Sequence, residues 1–309
     1  MIILLNGNSN NSHGLRKWEE IRSELEEKYL GHDYKLVHEA AHVTEDLSRQ
    51  GPWGDHTVVA AGGDGTVNFL LNQLMRLEEK ERRQVVLGAI ALGSSNDFHK
   101  PYSETRRVNG KVHVKLDERH ATAHNVGQVD YEDERGRKQS RYFIINASIG
   151  VIAQANYFFN TGDRVLNWLK PRMVLGAIYY AAIRTMFSAQ NIHAAVTVDG
   201  ESYSTEVTTL GVFINPHFSG NLRYDLDVTP QSDFLGVALC ERMEIRERLR
   251  AMCSLARGKF LGLPKTRSWK ARSVGIETDS PISLEMDGEV CLARKIKIRL
   301  LQGYMKVCQ

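Results

Sequence analysis

Gly62-Gly63-Asp64-Gly65-Thr66 places three glycines and one carboxylate within five positions. Glycine has no Cβ, so the backbone there can turn sharply and come close to a ligand. The apolar run His56-Thr57-Val58-Val59-Ala60-Ala61 precedes the turn and reads as a buried strand. After it, Val67, Leu70, Leu71, Leu74 and Met75 recur on one face of a helix. A glycine-rich strand-to-helix turn aims backbone N–H groups and the positive helix end at the space above, which suits phosphate. Asp64 is the odd element, because its carboxylate repels phosphate unless a divalent cation lies between them. The chemistry implied is a nucleotide polyphosphate bound with Mg²⁺.

A second turn, Leu92-Gly93-Ser94-Ser95-Asn96-Asp97-Phe98, follows the apolar run 85–91. Ser94 and Ser95 can donate to phosphate oxygens, while Asn96 and Asp97 can hold a metal or the turn itself. At the end of a neighbouring parallel strand it would face the first turn across one crevice. Asp-Gly-Glu occurs twice, at Asp199-Gly200-Glu201 and Asp287-Gly288-Glu289, each between alternating apolar residues that suit a hairpin. The histidine pairs His120/His124 and His38/His42 have no acidic partner to complete a metal site. Cys240, Cys253, Cys291 and Cys308 are widely spaced, form no CxxC pair, and read as reduced thiols without zinc.

The elements that must position these turns follow from periodicity. Residues 2–5, 34–38, 57–61 and 85–91 read as strands, with a helix marked by Trp18, Ile21, Leu25 and Tyr29 after the first. Thr44-Glu45-Asp46 opens a short helix with a capping residue and early acids. This alternation predicts a doubly wound parallel sheet with ligands at the carboxyl ends of its strands. Beyond about residue 110 the pattern becomes alternating, with strands expected at 141–148, 193–198, 207–214, 234–240, 268–277, 282–286 and 295–300. Helices are expected at 151–159 and 244–260. The expected organisation is an α/β domain over 1–122, a C-terminal antiparallel β-sandwich domain over 123–299, and residues 300–309 packing back on the first. The active cleft is expected between the two.

With 309 residues, the chain has room for two cores. Lys+Arg 40 against Asp+Glu 37 leaves a formal charge of +3, too balanced to argue for nucleic acid as a partner. Residues 1–6 lack a basic n-region and read as a strand rather than a signal peptide. The stretch 164–187 is apolar and aromatic, with Arg164, Lys170, Arg172 and Arg184 among it, and Pro171 breaks it into two helices. It suits either a membrane surface with anionic headgroups or a buried helix pair.

GGDGTVNFLLNQL followed by LGSSNDF resembles the catalytic domain of the diacylglycerol kinase family, which includes sphingosine kinases and bacterial lipid kinases. Asn6-Gly7-Asn8-Ser9 sits where that family has an Asn-Pro-x-Ser loop, Thr44 fits a threonine near the nucleotide, and Asp287-Gly288-Glu289 matches its Asp-Gly-Glu. The chain departs from the pattern at Phe69, usually Glu, and at Gly7, usually Pro. A structural Mg²⁺ turn of bacterial members is reduced here to Asp233. The resemblance implies a phosphofructokinase- or NAD-kinase-like α/β domain, a sandwich domain, and ATP-dependent phosphorylation of a lipid hydroxyl. Its implied nucleotide-binding residues are Asn6, Ser9, Thr44, Gly62, Gly63, Asp64, Gly65, Thr66, Gly93, Ser94 and Asn96. Asp287 and Glu289 are implied as the carboxylates that accept the hydroxyl proton, with Asp64 and Asp97 organising Mg²⁺ and phosphates. The expected partners are a lipid substrate, a membrane met peripherally at its cytoplasmic face and, as an option, a second copy of the chain. Two other readings stay open: a soluble NAD-kinase-like enzyme, and a nucleotide-binding sensor without turnover.

Overall fold

A computed structural model of the chain describes residues 1–7, 9–31, 34–38, 56–103 and 106–309. Thr44 and its expected helix lie outside the described residues, as do Asn8 and His42. The described chain divides into two compact units, Met1–His124 with Gly303–Gln309, and Asn125–Gln302.

The first unit alternates β1 (Ile2–Leu5), α1 (Ser9–Leu25), β2 (Lys35–Val37), β3 (His56–Gly62), α2 (Asp64–Leu74), α3 (Glu79–Arg82) and β4 (Val85–Ala91). Short strands β5 (Arg107–Val108) and β6 (Val112–Lys115) follow. β1 pairs in parallel with β2 and β3, and β3 in parallel with β4. β6 runs antiparallel to β4. Every residue of β4 is buried, as expected for a parallel strand covered on both faces. Trp18, Ile21 and Leu25 fall on one face of α1 and pack with Ile3, Leu5, Val59 and Ile90. The buried face of α2 is Val67, Leu70, Leu71 and Leu74, the set its periodicity requires.

The second unit is antiparallel. Its strands are β7 (Thr122–Asp133), β8 (Lys138–Phe143), β9 (Asn146–Gly150), β10 (Ile192–Val198), β11 (Glu201–Phe213), β12 (His217–Phe218), β13 (Leu222–Arg223) and β14 (Leu235–Glu241). They continue with β15 (Thr266–Ala271), β16 (Ser273–Glu277), β17 (Ile282–Met286) and β18 (Glu289–Val307). Helices α4 (Val151–Thr161), α5 (Arg164–Leu169), α6 (Val174–Ser188) and α7 (Ile245–Leu255) interrupt them. The helix expected over 244–260 starts at its capping box but ends early, and Gly258 follows with φ +61°.

Two long strands turn corners between sheets. The first half of β11 pairs with β10, its second half with β9, and the register with β14 shifts between Val207 and Thr209. The first part of β18 pairs with β17 and a later part with β16, with Lys295 at φ 49° between them. Bulges and bends of this kind let a strand leave one sheet of a sandwich and join the other. Lys306 and Val307, at the end of β18, pair in parallel with β4. Inward residues of both sheets, among them Val196, Leu210, Val237, Ile276, Leu284 and Ile298, share one core.

Two expected strands are each two strands. The run 141–148 breaks at Ile144 and Ile145, and the run 268–277 breaks at Arg272. In both places a distant aspartate takes the backbone. Asp287 accepts the amides of Ile144, Ile145 and Asn146 at 2.9, 2.9 and 3.0 Å. Asp199 accepts those of Arg272 and Ser273 at 2.9 and 2.7 Å. Each aspartate heads a hairpin with positive φ, 45° at Asp199 and 48° at Asp287.

Asp199 is exposed and Asp287 is buried, which sets different consequences for the same substitution. In Asp199→Ala, water can replace the lost acceptor, and urea unfolding is expected to show a loss of about 1 kcal/mol. Asp287→Ala strands three amides away from water and is expected to cost about 3 kcal/mol or more. Equal losses would contradict this account of the two corners.

Candidate nucleotide turns and carboxylates

β3 ends at Gly62 and α2 begins at Asp64, so the first glycine turn is the hinge between them. A Cβ on Gly62 would strike the Thr66 side chain, and one on Gly93 would run into Cα of Gly63. The two turns therefore touch backbone to backbone, and only glycine allows that approach. Leu92 and Gly93 both donate to the carbonyl of Gly62, at 2.9 and 3.1 Å.

Asp64 ties the second turn to the first. Its two oxygens accept the amides of Asp97 and Phe98, each at 3.0 Å. Asn96, at φ 50° and ψ 43°, bends the chain into the short 3₁₀ turn Asp97–His99 that presents those amides. The Asn6 side chain donates to Thr66 Oγ1 at 3.0 Å, and its own amide reaches the carbonyl of Ala61. Asn6, Gly62, Gly63, Asp64, Thr66, Gly93 and Asn96 are thus brought together, with Gly65 in the first turn of α2. Ser94 is exposed beside them. Ser9 opens α1, and its Oγ, like Oδ1 of Asn96, is buried without a hydrogen-bond partner among the described residues. The Ser9 hydroxyl, at the N-terminal end of α1, can donate to a ligand oxygen, whereas Oδ1 of Asn96 can only accept.

The carboxylates expected to hold Mg²⁺ are engaged otherwise. Asp64 grips two amides, and Asp97 forms an ion pair with Lys100 at 2.7 Å, both side chains nearly closed to solvent. Among the described residues, no group of three or more His, Cys, Asp or Glu side chains could hold a metal ion. Both carboxylates already hold protein partners, so an ion ligated directly by them would have to share or displace those partners.

Asp287 and Glu289 part company. Asp287 is buried with its oxygens on backbone amides, whereas Glu289 is exposed at the first position of β18. Sequence reading passed over Glu285, which is 2% exposed and hydrogen-bonded beneath the same hairpin. A lone glutamate in an alternating strand gives no signal of that. Lys17, also unmarked in sequence, reaches from α1 to the carbonyls of Leu92 and Gly93 at 3.5 and 3.4 Å. Burial lowers its pKa.

Behind the second turn, burial pushes the imidazoles of His99 and His124 down to about 3, with the Lys115 charge adding to the effect. Lys115 is itself pushed down to about 8 by burial. Both histidines are neutral in the folded protein, and the unfolded chain protonates first as pH falls through the ordinary value of 6.5. Their neutral burial therefore costs nothing above that pH and weakens the fold progressively from there down toward pH 3. Between pH 6.5 and 5 each is expected to remove about 2 kcal/mol. Urea unfolding across that window measures it, and His99→Asn with His124→Asn should flatten the slope. An unchanged slope would contradict the assignment.

A family model of the diacylglycerol kinase catalytic domain matches residues 1–129. A model of the YegS C-terminal NAD kinase beta sandwich-like domain matches residues 147–309. A protein of Staphylococcus haemolyticus named diacylglycerol kinase is 23% identical, over 81% of this chain and 70% of its own length. Its Staphylococcus carnosus counterpart is 24% identical, over 75% and 69%. A crystal structure of a diacylglycerol kinase from Bacillus anthracis shares the fold, with TM-score 0.63 over 99% of this chain and 95% of that one at 19% identity. Two other solved chains from that organism reach TM-score 0.72. With one model over residues 1–129 and the other over residues 147–309, the chain belongs to the diacylglycerol kinase family.

Proposed function

We propose that this chain is an ATP-dependent lipid kinase that transfers the γ-phosphoryl group of ATP to a hydroxyl of a diacylglycerol-like or sphingoid lipid. The observation that carries the reading is the Asp64 clamp, which holds two phosphate-type turns in backbone contact. Phosphoryl transfer demands little covalent chemistry from a protein and much positioning and charge stabilisation. Backbone N–H groups of the first turn, with the hydroxyls of Ser9 and Ser94, serve as donors to phosphate oxygens. Asp64 keeps the two turns at fixed spacing. Mg²⁺ is the counter-ion that the nucleotide carries in, and no protein carboxylate is assigned to it. Asp287 sets the hairpin, and the exposed Glu289 accepts the proton of the attacking hydroxyl.

The enzyme works peripherally, at the inner face of a membrane. No helix among the described residues is long and apolar enough to cross one. The pair α5 and α6, parted at Pro171, buries Leu166, Ala177 and Ala181 and turns other apolar side chains outward. Trp168, Met173 and Phe187 are 56%, 60% and 58% exposed. Lys170, Arg172 and Arg184 lie over the rings of Phe159, Trp168 and Phe158 at 4.6, 4.9 and 4.4 Å. Apolar rings edged with cations suit an anionic bilayer surface. The stretch thus buries one face and exposes apolar side chains on another.

Transfer of labelled γ-phosphate from ATP to a panel of detergent-dispersed lipids, with NAD as a parallel acceptor, tests the function. Label should appear in a lipid, and Glu289→Gln should lower kcat by about 10²–10⁴-fold with KM for ATP retained. Label in NAD alone, or in neither, would overturn the reading. For the membrane contact, Trp168→Ala with Lys170→Glu should weaken co-sedimentation with anionic vesicles while thermal stability holds. Unchanged co-sedimentation would contradict it.

A further inference from the structure

The two Asp-Gly-Glu hairpins share a positive-φ aspartate that accepts distant amides, and they differ in burial and in the residue two positions before the aspartate. At Asp199 that residue is Thr197, whose hydroxyl lies 2.6 Å from that of Ser202 on an exposed face. At Asp287 it is Glu285, one of the most deeply buried carboxylates in the chain at 2% exposed. One oxygen of Glu285 accepts the amide of Gly288 at 2.6 Å. The other accepts the hydroxyl of Ser148, its cross-strand partner on β9, also at 2.6 Å. Both residues point away from the main core, which takes their neighbours Leu284, Met286, Ala147 and Ile149. From the far end of α4, the Asn160 side chain donates to the carbonyl of Gly288 at 3.4 Å, so the peptide units on either side of Gly288 are each held at one atom.

Burying a carboxylate is costly unless hydrogen bonds satisfy it, and a hairpin of this sequence closes without one. Thr197 at the first hairpin demonstrates that within the same chain. The long side chain buried at position 285 therefore has a use beyond turn formation, and its geometry supplies one: it reaches both the Gly288 amide and the Ser148 hydroxyl. Gly288, at φ +91°, is the flexible link between the anchored Asp287 and the exposed Glu289. Glu289 is paired with Met286 across the hairpin, so with the Gly288 amide free it is the Asp287–Gly288 peptide that could turn over and shift the turn from which Glu289 projects.

We propose that Glu285 is a positioning residue: by fixing the Asp287–Gly288 peptide against β17 and β9, it holds the Glu289 side chain at a set place on the hairpin. What Glu289 does there rests on the kinase reading above. The positioning itself does not, and each part can fail separately.

The test compares Glu285→Gln with Glu285→Asp in the full chain. Glutamine keeps the length, accepting from Gly288 with its oxygen and donating to the Ser148 hydroxyl with its amide. Aspartate keeps the charge but withdraws it by one methylene. If reach matters, hydrogen exchange at the Gly288 amide should stay within about 2-fold of wild type in the glutamine variant and speed up about 10-fold or more in the aspartate variant. In lipid-kinase assays kcat should follow the same order, falling about 10²-fold for aspartate, as misplacement by an ångström can cause, while KM for ATP holds. Thr197→Val, at the other hairpin, should leave both readouts at wild type. Wild-type Gly288 exchange in both variants, or aspartate tolerated while glutamine fails, overturns the proposal. A wild-type protein that phosphorylates no lipid overturns the kinase reading instead, and the Gly288 exchange still decides the positioning.

Discussion

One interaction recurs at each decisive place in this chain: an aspartate carboxylate accepting backbone amides from a segment far away in sequence. Asp64 takes Asp97 and Phe98, Asp199 takes Arg272 and Ser273, and Asp287 takes Ile144, Ile145 and Asn146. Hydrogen bonds to an ionised acceptor are stronger than neutral ones, and an amide left unpaired on burial costs as much as a lost bond. Where a chain leaves one sheet for another, its amides lose their ladder partners. A carboxylate with several lone pairs repairs that loss at one point and fixes the path of the chain there.

The rest of the architecture follows from those anchors. In the sandwich, the clamps at Asp199 and Asp287 let β15 pass to β16 and β8 pass to β9 without unsatisfied backbone. In the first unit, the same device brings the second glycine turn against the first, and glycine at 63 and 93 permits the contact. Burial differs between the two hairpin aspartates, and so does the residue beneath them. Only at the second does a buried glutamate accept the amide of the turn glycine.

Much of this was legible in the chain. The parallel strands, the faces of α1 and α2, both glycine turns and the hairpin at Asp199-Gly200 follow from periodicity and turn chemistry, which act within a few residues. The breaks at Ile144–Ile145 and Arg272 were not legible, because the alternation of apolar residues continues through them. What bends the chain there is a carboxylate supplied from more than seventy or a hundred positions away, and no local pattern reports it. The protein partners of the acidic residues were hidden for the same reason. Asp64 and Asp97 look like metal ligands when only their spacing is seen, and their amide and lysine partners become apparent only in the fold. The buried Glu285 carries no sequence signal at all.

The most direct test of this account is a crystal structure of the protein with an ATP analogue and Mg²⁺, read at Asp64. The account predicts that its carboxylate still accepts the amides of Asp97 and Phe98 at hydrogen-bond distance, with the ion ligated by phosphate oxygens and water. An Asp64 oxygen in direct contact with Mg²⁺, with the Asp97 and Phe98 amides released, would contradict it.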